Sequence, residues 1–272
     1  LACTAVGVAH PHDPSMFFDS LVRCFVILEL TIMSGSFLMV VVGKTFGTRI
    51  QDMDKPHDFR SPWLLKEAAE TSVALYIFAC FAAWPLSLYR LGLPCALVDT
   101  LEETGDGAWF YAFKTAFGLL GADWYMYMKH RILHSRNFFA FHRSHHMFRD
   151  PTPFAGFAVH PVEAVVTFGP VLFAIFPWVG LCIPLHAPVL VFLAVLNLYL
   201  HCGYTIGLVE GILAPMFVNT SAFHNAHHFK TRTHFGEILW LWDWILCTGD
   251  HPYGWKERSP TRVLGAAIAS VK

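Results

Sequence analysis

Three short stretches of the chain place histidines three or four residues apart. Residues at this spacing share one face of an α-helix, so each stretch would present its imidazoles on one side of a helix. The histidines are His130 and His134 in KHRILH, His142, His145 and His146 in FHRSHH, and His224, His227 and His228 in FHNAHH. Clusters of imidazoles at this spacing indicate a metal site.

Eight imidazoles are more than one four-coordinate zinc ion needs. They suit two neighbouring metal ions, each with several nitrogen ligands and at least one open position. Imidazole binds iron, zinc, copper and nickel, so ligand type alone does not select the metal. The alternatives are a pH-responsive patch of surface histidines and a zinc hydrolase, which leaves the surplus ligands unexplained.

The composition indicates that these histidines are carried by a membrane protein. The chain has 272 residues, of which 55% are hydrophobic and only 14% are charged, whereas soluble domains carry roughly 25% charged residues. The net charge of −1 gives no reason to expect a nucleic acid partner.

A helix needs about 20 mainly apolar residues to span a bilayer. Stretches of this kind are Phe17 to Val42, Thr71 to Leu93, Ala108 to Met128 and Ala164 to Val209. The last could hold two spans, with a turn marked by Pro184 and Pro188. The first contains Arg23 and Glu29, whose charges are costly in a bilayer, so this helix could lie partly against other helices or along the interface.

The charges of the loops suggest an orientation. The loop from Gly92 to Gly107 has four acids and no base, while the segments Gly43 to Glu70, Lys129 to Phe157 and Tyr204 onward contain Lys and Arg. We therefore predict an all-α integral membrane protein with four or five transmembrane helices and a helical cap on one side that carries the di-metal site. We predict one domain over 1–272: N-terminal spans and loops (1–107), a histidine-box core (108–256) and a C-terminal tail (257–272).

The cysteines do not suggest a metal or disulfide framework. There are seven, an odd number, and they are scattered without a C-x-x-C pair, so buried free thiols are favoured. We expect neither a cysteine-ligated haem nor a fused haem or flavin domain. The chain begins at Leu1, so either a presequence has been removed or the sequence starts inside the gene product.

The order H-x-x-x-H, H-x-x-H-H, H-x-x-H-H resembles the membrane fatty acid hydroxylase and sterol desaturase superfamily. The resemblance runs from about Gly121 to Asp250 and includes DWYMYMKHRILH, PFAGFAVHPVEAV, LHCGYTIG and FHNAHHFKTRTHFGEILWLWDWILCTGD. It implies that the eight histidines hold two iron ions, with zinc possible in the purified protein. It also implies O2-dependent oxidation of a lipid C–H bond, with electrons from a separate donor such as cytochrome b5 or a reductase. No catalytic residue is expected beyond the metal ligands.

Further residues could support the metal ligands. His201 matches a position that provides an extra ligand in some family members, and ligation or support of other ligands are both open; Thr205 stands where some members have another histidine. Residues expected to orient ligand imidazoles are His160, Glu163, Asp123, His234 and Asp243. Helix capping or plain polar contacts are the competing roles for these five. His10, His12, His57, His186 and His251 are assigned no role.

Two functions from different classes remain open. The first is hydroxylation or desaturation of a sterol or fatty-acyl lipid that enters from the bilayer. The second is a structural or accessory subunit of a larger membrane complex that retains the fold and the metals. The family suggests the endoplasmic reticulum, and a trimmed N-terminus would suit another organelle such as the mitochondrion.

Overall fold

The computed structural model describes residues 14–51, 61–172 and 180–249. Its helices are α1 (Pro14–Phe46), α2 (Pro62–Arg90), α3 (Ala108–Leu133), α4 (Arg143–His146), α5 (Pro161–Pro170), α6 (Ile183–Leu200), α7 (Gly207–Leu213), α8 (Ser221–Lys230) and α9 (Leu241–Ile245). Short 3₁₀ turns are formed by Glu102–Thr104, Phe139–Phe141, Pro153–Ala155 and Ala214–Met216. Strand β1 (Thr48–Arg49) pairs antiparallel with β4 (Tyr204–Thr205), and β2 (Leu97–Val98) pairs parallel with β3 (Leu181–Cys182).

The long helices α1 and α2 pack antiparallel to each other. Leu21, near the start of α1, packs with Ala79 and Ala83 late in α2, while Val40, near the end of α1, packs with Leu64 early in α2. The small alanine side chains allow two backbones to approach closely, as is typical of helix pairs in membranes.

The predicted all-α membrane fold is confirmed. Among the described residues, three helices are long and apolar enough to cross a membrane, namely α1, α2 and α6. The predicted span Ala108 to Met128 forms most of α3, which continues to Leu133 and so carries His130 on its last turn. Of the predicted hairpin, α5 and α6 are described, while residues 173–179 lie outside the described part of the chain.

One detail of the predicted hairpin is wrong. Pro184 lies at the start of α6, but Pro188 lies within this helix and not in the turn before it. A proline near a helix start is well tolerated, because the first N–H groups have no carbonyl partner within the helix. The predicted tail 257–272 and the histidines His10, His12, His57 and His251 lie outside the described residues.

The charges of α1 have local partners. Arg23 Nε donates to Asp19 Oδ2 at 2.7 Å one turn earlier, and Glu29 Oε1 accepts from Ser72 Oγ of α2 at 2.7 Å. Arg90, at the end of α2, also pairs with Asp19, at 2.6 Å. The ionic groups are thus gathered near one end of the helix pair, while Glu29 is held against α2.

The helix pair α1–α2 holds the 3₁₀ turn Pro153–Ala155, which follows the second histidine stretch. Ser36 Oγ donates to Pro153 O at 3.3 Å, and Thr71 Oγ1 donates to Phe154 O at 2.6 Å. Glu67 of α2 accepts hydrogen bonds from the backbone N and the hydroxyl of Thr152. Hydrogen bonds from the spans therefore fix the chain that leads out of the second stretch.

Candidate metal centre

Four separate elements bring histidines to one place. The last turn of α3 carries His130 and ends at His134, α4 and the residue before it carry the second stretch, and α8 carries the third. His201 follows the last residue of α6. Thr220 begins α8 by accepting a hydrogen bond from Phe223 N through its side chain, a common signal for a helix start.

The imidazoles form two groups in which the nitrogens lie within 4.8 Å of one another. The first group is His130, His134, His142, His146 and His227. The second group is His145, His201, His224 and His228. All eight histidines of the three stretches are thus brought together, and His201 joins them.

The inward-facing atoms of the first group are Nε2 nitrogens. His146 Nε2 lies 3.0 Å from His134 Nε2, 3.1 Å from His142 Nε2 and 3.1 Å from His227 Nε2. His134 Nε2 lies 3.1 Å from His227 Nε2 and 3.3 Å from His130 Nε2. Five ring nitrogens therefore surround one point.

The second group has the same character. His224 Nε2 lies 2.9 Å from His201 Nε2 and 3.2 Å from His228 Nε2, and His201 Nε2 lies 3.5 Å from His145 Nε2. The two groups are neighbours, because the ring centroids of His145 and His146 are 5.6 Å apart and those of His146 and His228 are 5.1 Å apart.

In five rings, the outer nitrogen Nδ1 donates a hydrogen bond. This bond fixes the tautomer in which Nε2 keeps a free lone pair. Backbone carbonyls accept from four Nδ1 atoms: Phe235 O from His130 at 2.8 Å, Ala158 O from His145 at 3.2 Å, Asn197 O from His201 at 2.8 Å and Thr233 O from His227 at 2.7 Å. A carboxylate, Glu163 Oε2, accepts from His142 Nδ1 at 2.7 Å. Such partners fix the orientation of metal-binding imidazoles.

Burial keeps these rings neutral. It lowers the pKa of His134 to about 3, and the neighbouring His142 contributes to this. It also lowers the pKa of His142 to about 3, and the nearby Lys129 contributes to this. It lowers the pKa of His201 to about 4. For His145, His224, His227 and His228, burial and the adjacent imidazoles lower the pKa well below the usual value.

Neutral rings whose lone pairs point at one another repel unless a cation lies between them. Two nitrogens at right angles on a metal with bonds of about 2.1 Å lie about 3.0 Å apart, which matches the spacing of 3.0–3.3 Å in the first group. The residues therefore fit a pair of metal ions, with five nitrogen donors on one side and four on the other.

Charged side chains also lie behind the first group of histidines. The contacts described above include no such charged side chains behind the second group. Lys129 Nζ lies 3.0 Å from Glu237 Oε1 and 3.7 Å from Glu163 Oε1, and it donates to Thr167 Oγ1 at 3.0 Å. Glu237 Oε1 in turn lies 3.8 Å from His130 Nδ1. Two carboxylates linked by one buried ammonium therefore face the outer nitrogens of two histidines of the first group.

Comparison with known proteins identifies the segment that carries this centre. The sequence model of the fatty acid hydroxylase family matches residues 115–248, which include all nine clustered histidines. This segment, just under half of the chain, is similar to the fatty acid hydroxylase family. The predicted superfamily is confirmed.

Individual relatives of the fatty acid hydroxylase segment are sterol enzymes by name. Lathosterol oxidase from Mus musculus is 33% identical over 173 residues, covering 60% of this chain and 54% of the relative. The Homo sapiens lathosterol oxidase is 33% identical over 172 residues, with the same coverage of 60% and 54%. A probable Delta(7)-sterol 5(6)-desaturase from Neurospora crassa is 29% identical over 186 residues, covering 66% and 50%. The chain thus spans about half the length of these curated relatives, and no solved structure matches it.

The expected supporting residues of the fatty acid hydroxylase segment differ in their contacts. Glu163 contacts a clustered histidine directly, as described above. His160 instead begins α5, where its Nδ1 accepts from Val162 N at 3.2 Å. His160 Nδ1 therefore caps the N-terminus of α5, and Pro161 occupies the first position of this helix.

His234 contacts the ring of Phe223, at 4.3 Å between centroids, and its Nδ1 lies 2.8 Å from Thr233 Oγ1. Its φ of 65° is in the left-handed region, which Asn, Asp and His adopt more readily than other non-glycine residues. The position is therefore explained by the backbone turn that leads from α8 to Phe235.

Asp123 and Asp243 accept hydrogen bonds from the closing segment, residues 231–249 after α8, whereas from the sequence we expected imidazole N–H groups as their donors. Asp243 accepts from Phe235 N at 2.9 Å and from Gly236 N at 2.6 Å. Asp123 accepts from Leu239 N at 3.2 Å and from Trp242 Nε1 at 2.7 Å. Phe235 O in turn accepts the hydrogen bond from His130 Nδ1. Asp243 therefore supports His130 indirectly, by holding Phe235.

Sequence reasoning missed Lys129, Glu237 and Asn197. Lys129 has a signal in the sequence: it is a charged residue at the end of an apolar helix and next to His130, where an ionisable group suggests a function. Asn197 donates through Nδ2 to Gly156 O at 2.7 Å and its carbonyl holds His201. Glu237 lies in a loop, so periodicity gives no indication of its direction.

Proposed function

We propose that this chain is a membrane oxidoreductase that uses O2 to hydroxylate or desaturate a lipid, with a sterol favoured. Two irons would be held by the first group and the second group of histidines, that is, by the eight residues of the three stretches and by His201. The observation that carries the proposal is the convergence of nine ring nitrogens, eight of them from buried histidines, in two groups of five and four. The sterol preference rests on relatives named lathosterol oxidase and Delta(7)-sterol 5(6)-desaturase.

When bound, such a metal pair supplies the activation of O2 that removal of hydrogen from an unactivated carbon needs. The chain's own part is to hold nine neutral imidazoles with their Nε2 lone pairs inward. The carbonyls of Phe235, Ala158, Asn197 and Thr233 do this for four of the nine rings by accepting the Nδ1 protons, and Glu163 does it for His142. No histidine has to lose a proton for the metals to bind near neutral pH.

The membrane helices supply the route for the substrate. Helix α3 carries His130 in its last turn, and α6 ends one residue before His201, so both groups lie at the ends of long helices. A lipid in the adjacent leaflet can therefore reach the centre without crossing water. Electrons would come from a separate donor such as cytochrome b5 or a reductase, and the compartment suggested by the family is the endoplasmic reticulum.

The experiment is sterol and fatty-acid profiling of the iron-loaded protein in phospholipid nanodiscs with O2 and a reducing system. We expect a new hydroxylated or desaturated lipid with the unaltered chain and none with His145→Ala. The matched control is His186→Gln, because His186 is buried in α6 and bonded to Tyr111 at 2.9 Å, outside both groups. Equal product from His145→Ala would refute the proposal and favour a structural subunit.

A further inference from the structure

The cap carries an apolar surface. Three exposed residues recur at a spacing of four along Gly207–Met216: Leu208 is 75% exposed, Ile212 54% and Met216 65%. The other exposed residues of this segment are Gly207, Gly211 and Pro215. All six are uncharged and apolar, so this face lacks the charged groups that a water-facing helix carries.

The polarity of the segment is reversed relative to a helix on the surface of a soluble protein. Its acid, Glu210, is 4% exposed and points inward. Glu210 Oε1 accepts from Tyr199 OH at 2.6 Å and from Ser221 N at 3.0 Å. The charged side chain is thus used inside the protein, between the end of α6 and the start of α8, while the aliphatic side chains face outward.

A second apolar surface lies beside the first. The turn Ala214–Met216 packs on Trp240, whose Nε1 donates to Ala214 O at 3.2 Å. Helix α9 follows Trp240, and the consecutive residues Trp244, Ile245 and Leu246 are all exposed, Ile245 by 48%. A run of exposed apolar residues of this kind is typical of a contact surface for membrane or protein.

Contacts with α3 connect this surface to the outer side of the helix bundle. Trp242 of α9 packs edge-to-face on Trp124 of α3 at 4.8 Å between ring centroids. Phe117 and Leu120, one to two turns before Trp124, are exposed on α3. The apolar surface of the cap is therefore continuous with an apolar face on α3.

We propose that the surface formed by Leu208, Ile212 and Met216, together with Trp244 to Leu246, lies in the boundary between headgroups and acyl chains of the bilayer. Helices that lie on a membrane bury their apolar face in this boundary, where tryptophan is also enriched. The inference goes beyond the proposed oxidation, because it concerns how the cap sits on the membrane whether or not the metals are bound.

The consequence is a defined position for the metal centre. Glu210 joins the membrane-lying segment to the N-terminus of α8, which carries three of the clustered histidines. Insertion of α7 would hold α8, and with it both groups, at the level of the headgroups.

The test is photo-crosslinking in phosphatidylcholine nanodiscs with p-benzoylphenylalanine at Leu208 or at Ile245. The control is the same probe at Arg143, an exposed charged residue of α4. We expect lipid adducts, counted by intact-protein mass spectrometry, at least tenfold more often at Leu208 and Ile245 than at Arg143. Yields equal to that of Arg143 would overturn the proposal, and so would adducts to a second copy of the chain. Both probes leave the histidines unchanged, so metal content reports whether the variant has folded.

Discussion

Glu163 offers the sharpest test of how the protein supports its histidines. Its Oε2 accepts the Nδ1 proton of His142 at 2.7 Å, while Oε1 lies 3.7 Å from Lys129 Nζ. The substitution Glu163→Gln keeps the size of the side chain and can still accept one hydrogen bond, but it removes the negative charge. The change therefore separates charge from shape.

The expected loss follows from the contacts. Removal of a partner that orients a metal-binding imidazole typically costs about 10- to 100-fold in metal affinity, or about 1.4 to 2.7 kcal/mol. We expect the lower half of this range, because Lys129 retains Glu237 at 3.0 Å and is not left as an unpaired buried charge. The loss should be confined to the first group, since Glu163 contacts His142 of that group.

The assay is a competition titration of the purified protein in nanodiscs with a metal chelator, read as metal ions retained per chain. The unaltered protein should release its metals at high chelator concentration, whereas Glu163→Gln should release one of two at a roughly 10- to 30-fold lower concentration. The matched control is Glu29→Gln, the same chemical change in a carboxylate that binds Ser72 of α2. If both variants release metal like the unaltered chain, or if both lose it equally, the reasoning is refuted.

Three further changes have defined outcomes. Acidification should destabilise the metal-free protein as the pH falls from about 6.5 towards 3, because the unfolded chain takes up protons that buried rings such as His142, with a pKa of about 3, do not accept. Each such ring contributes about 1.4 kcal/mol per pH unit, and a melting temperature that stays constant between pH 7 and 5 would contradict this. His201→Ala should reduce retained metal from two ions to about one, because it removes one of four nitrogens of the second group; elemental analysis that still finds two would show that His201 is dispensable. Gly236→Ala should lower the melting temperature by several degrees, because a Cβ there would clash with the carbonyl oxygen of Leu239; Gly211→Ala, where nothing lies within 4 Å of an added Cβ, should leave it unchanged.

The sequence was sufficient to predict the features that depend on local pattern. The three histidine stretches lie on helices or directly beside them, and the apolar stretches form the long helices α1, α2 and α6. Both follow from periodicity and hydropathy, which are properties of residues close together in the chain.

The support of the histidines depends on contacts between distant residues and could not be read from spacing. Glu237 meets Lys129 across 108 positions of sequence, and Asp123 accepts from Leu239 across 116. A carboxylate near a metal site can equally orient an imidazole or hold a loop, and Glu163 and Asp243 take these different roles. Only the packing of α3 against the closing segment decides between them.

The apolar face of α7 shows a different limit. The sequence GLVEGIL has Glu210 in its middle, which from the sequence favours a surface segment with its charge in water. The carboxylate is instead held between Tyr199 and Ser221. These two buried hydrogen bonds therefore decide which face of α7 points into the protein.

The central claim is that two groups of buried histidines each hold a metal ion. Elemental analysis of the purified protein, combined with X-ray absorption at the edge of the metal found, tests it most directly. We expect about two metal ions per chain with nitrogen ligands at about 2.1 Å and the multiple-scattering pattern of imidazole. Fewer than one ion per chain after reconstitution with iron or zinc, or a first shell dominated by sulfur, would contradict the account.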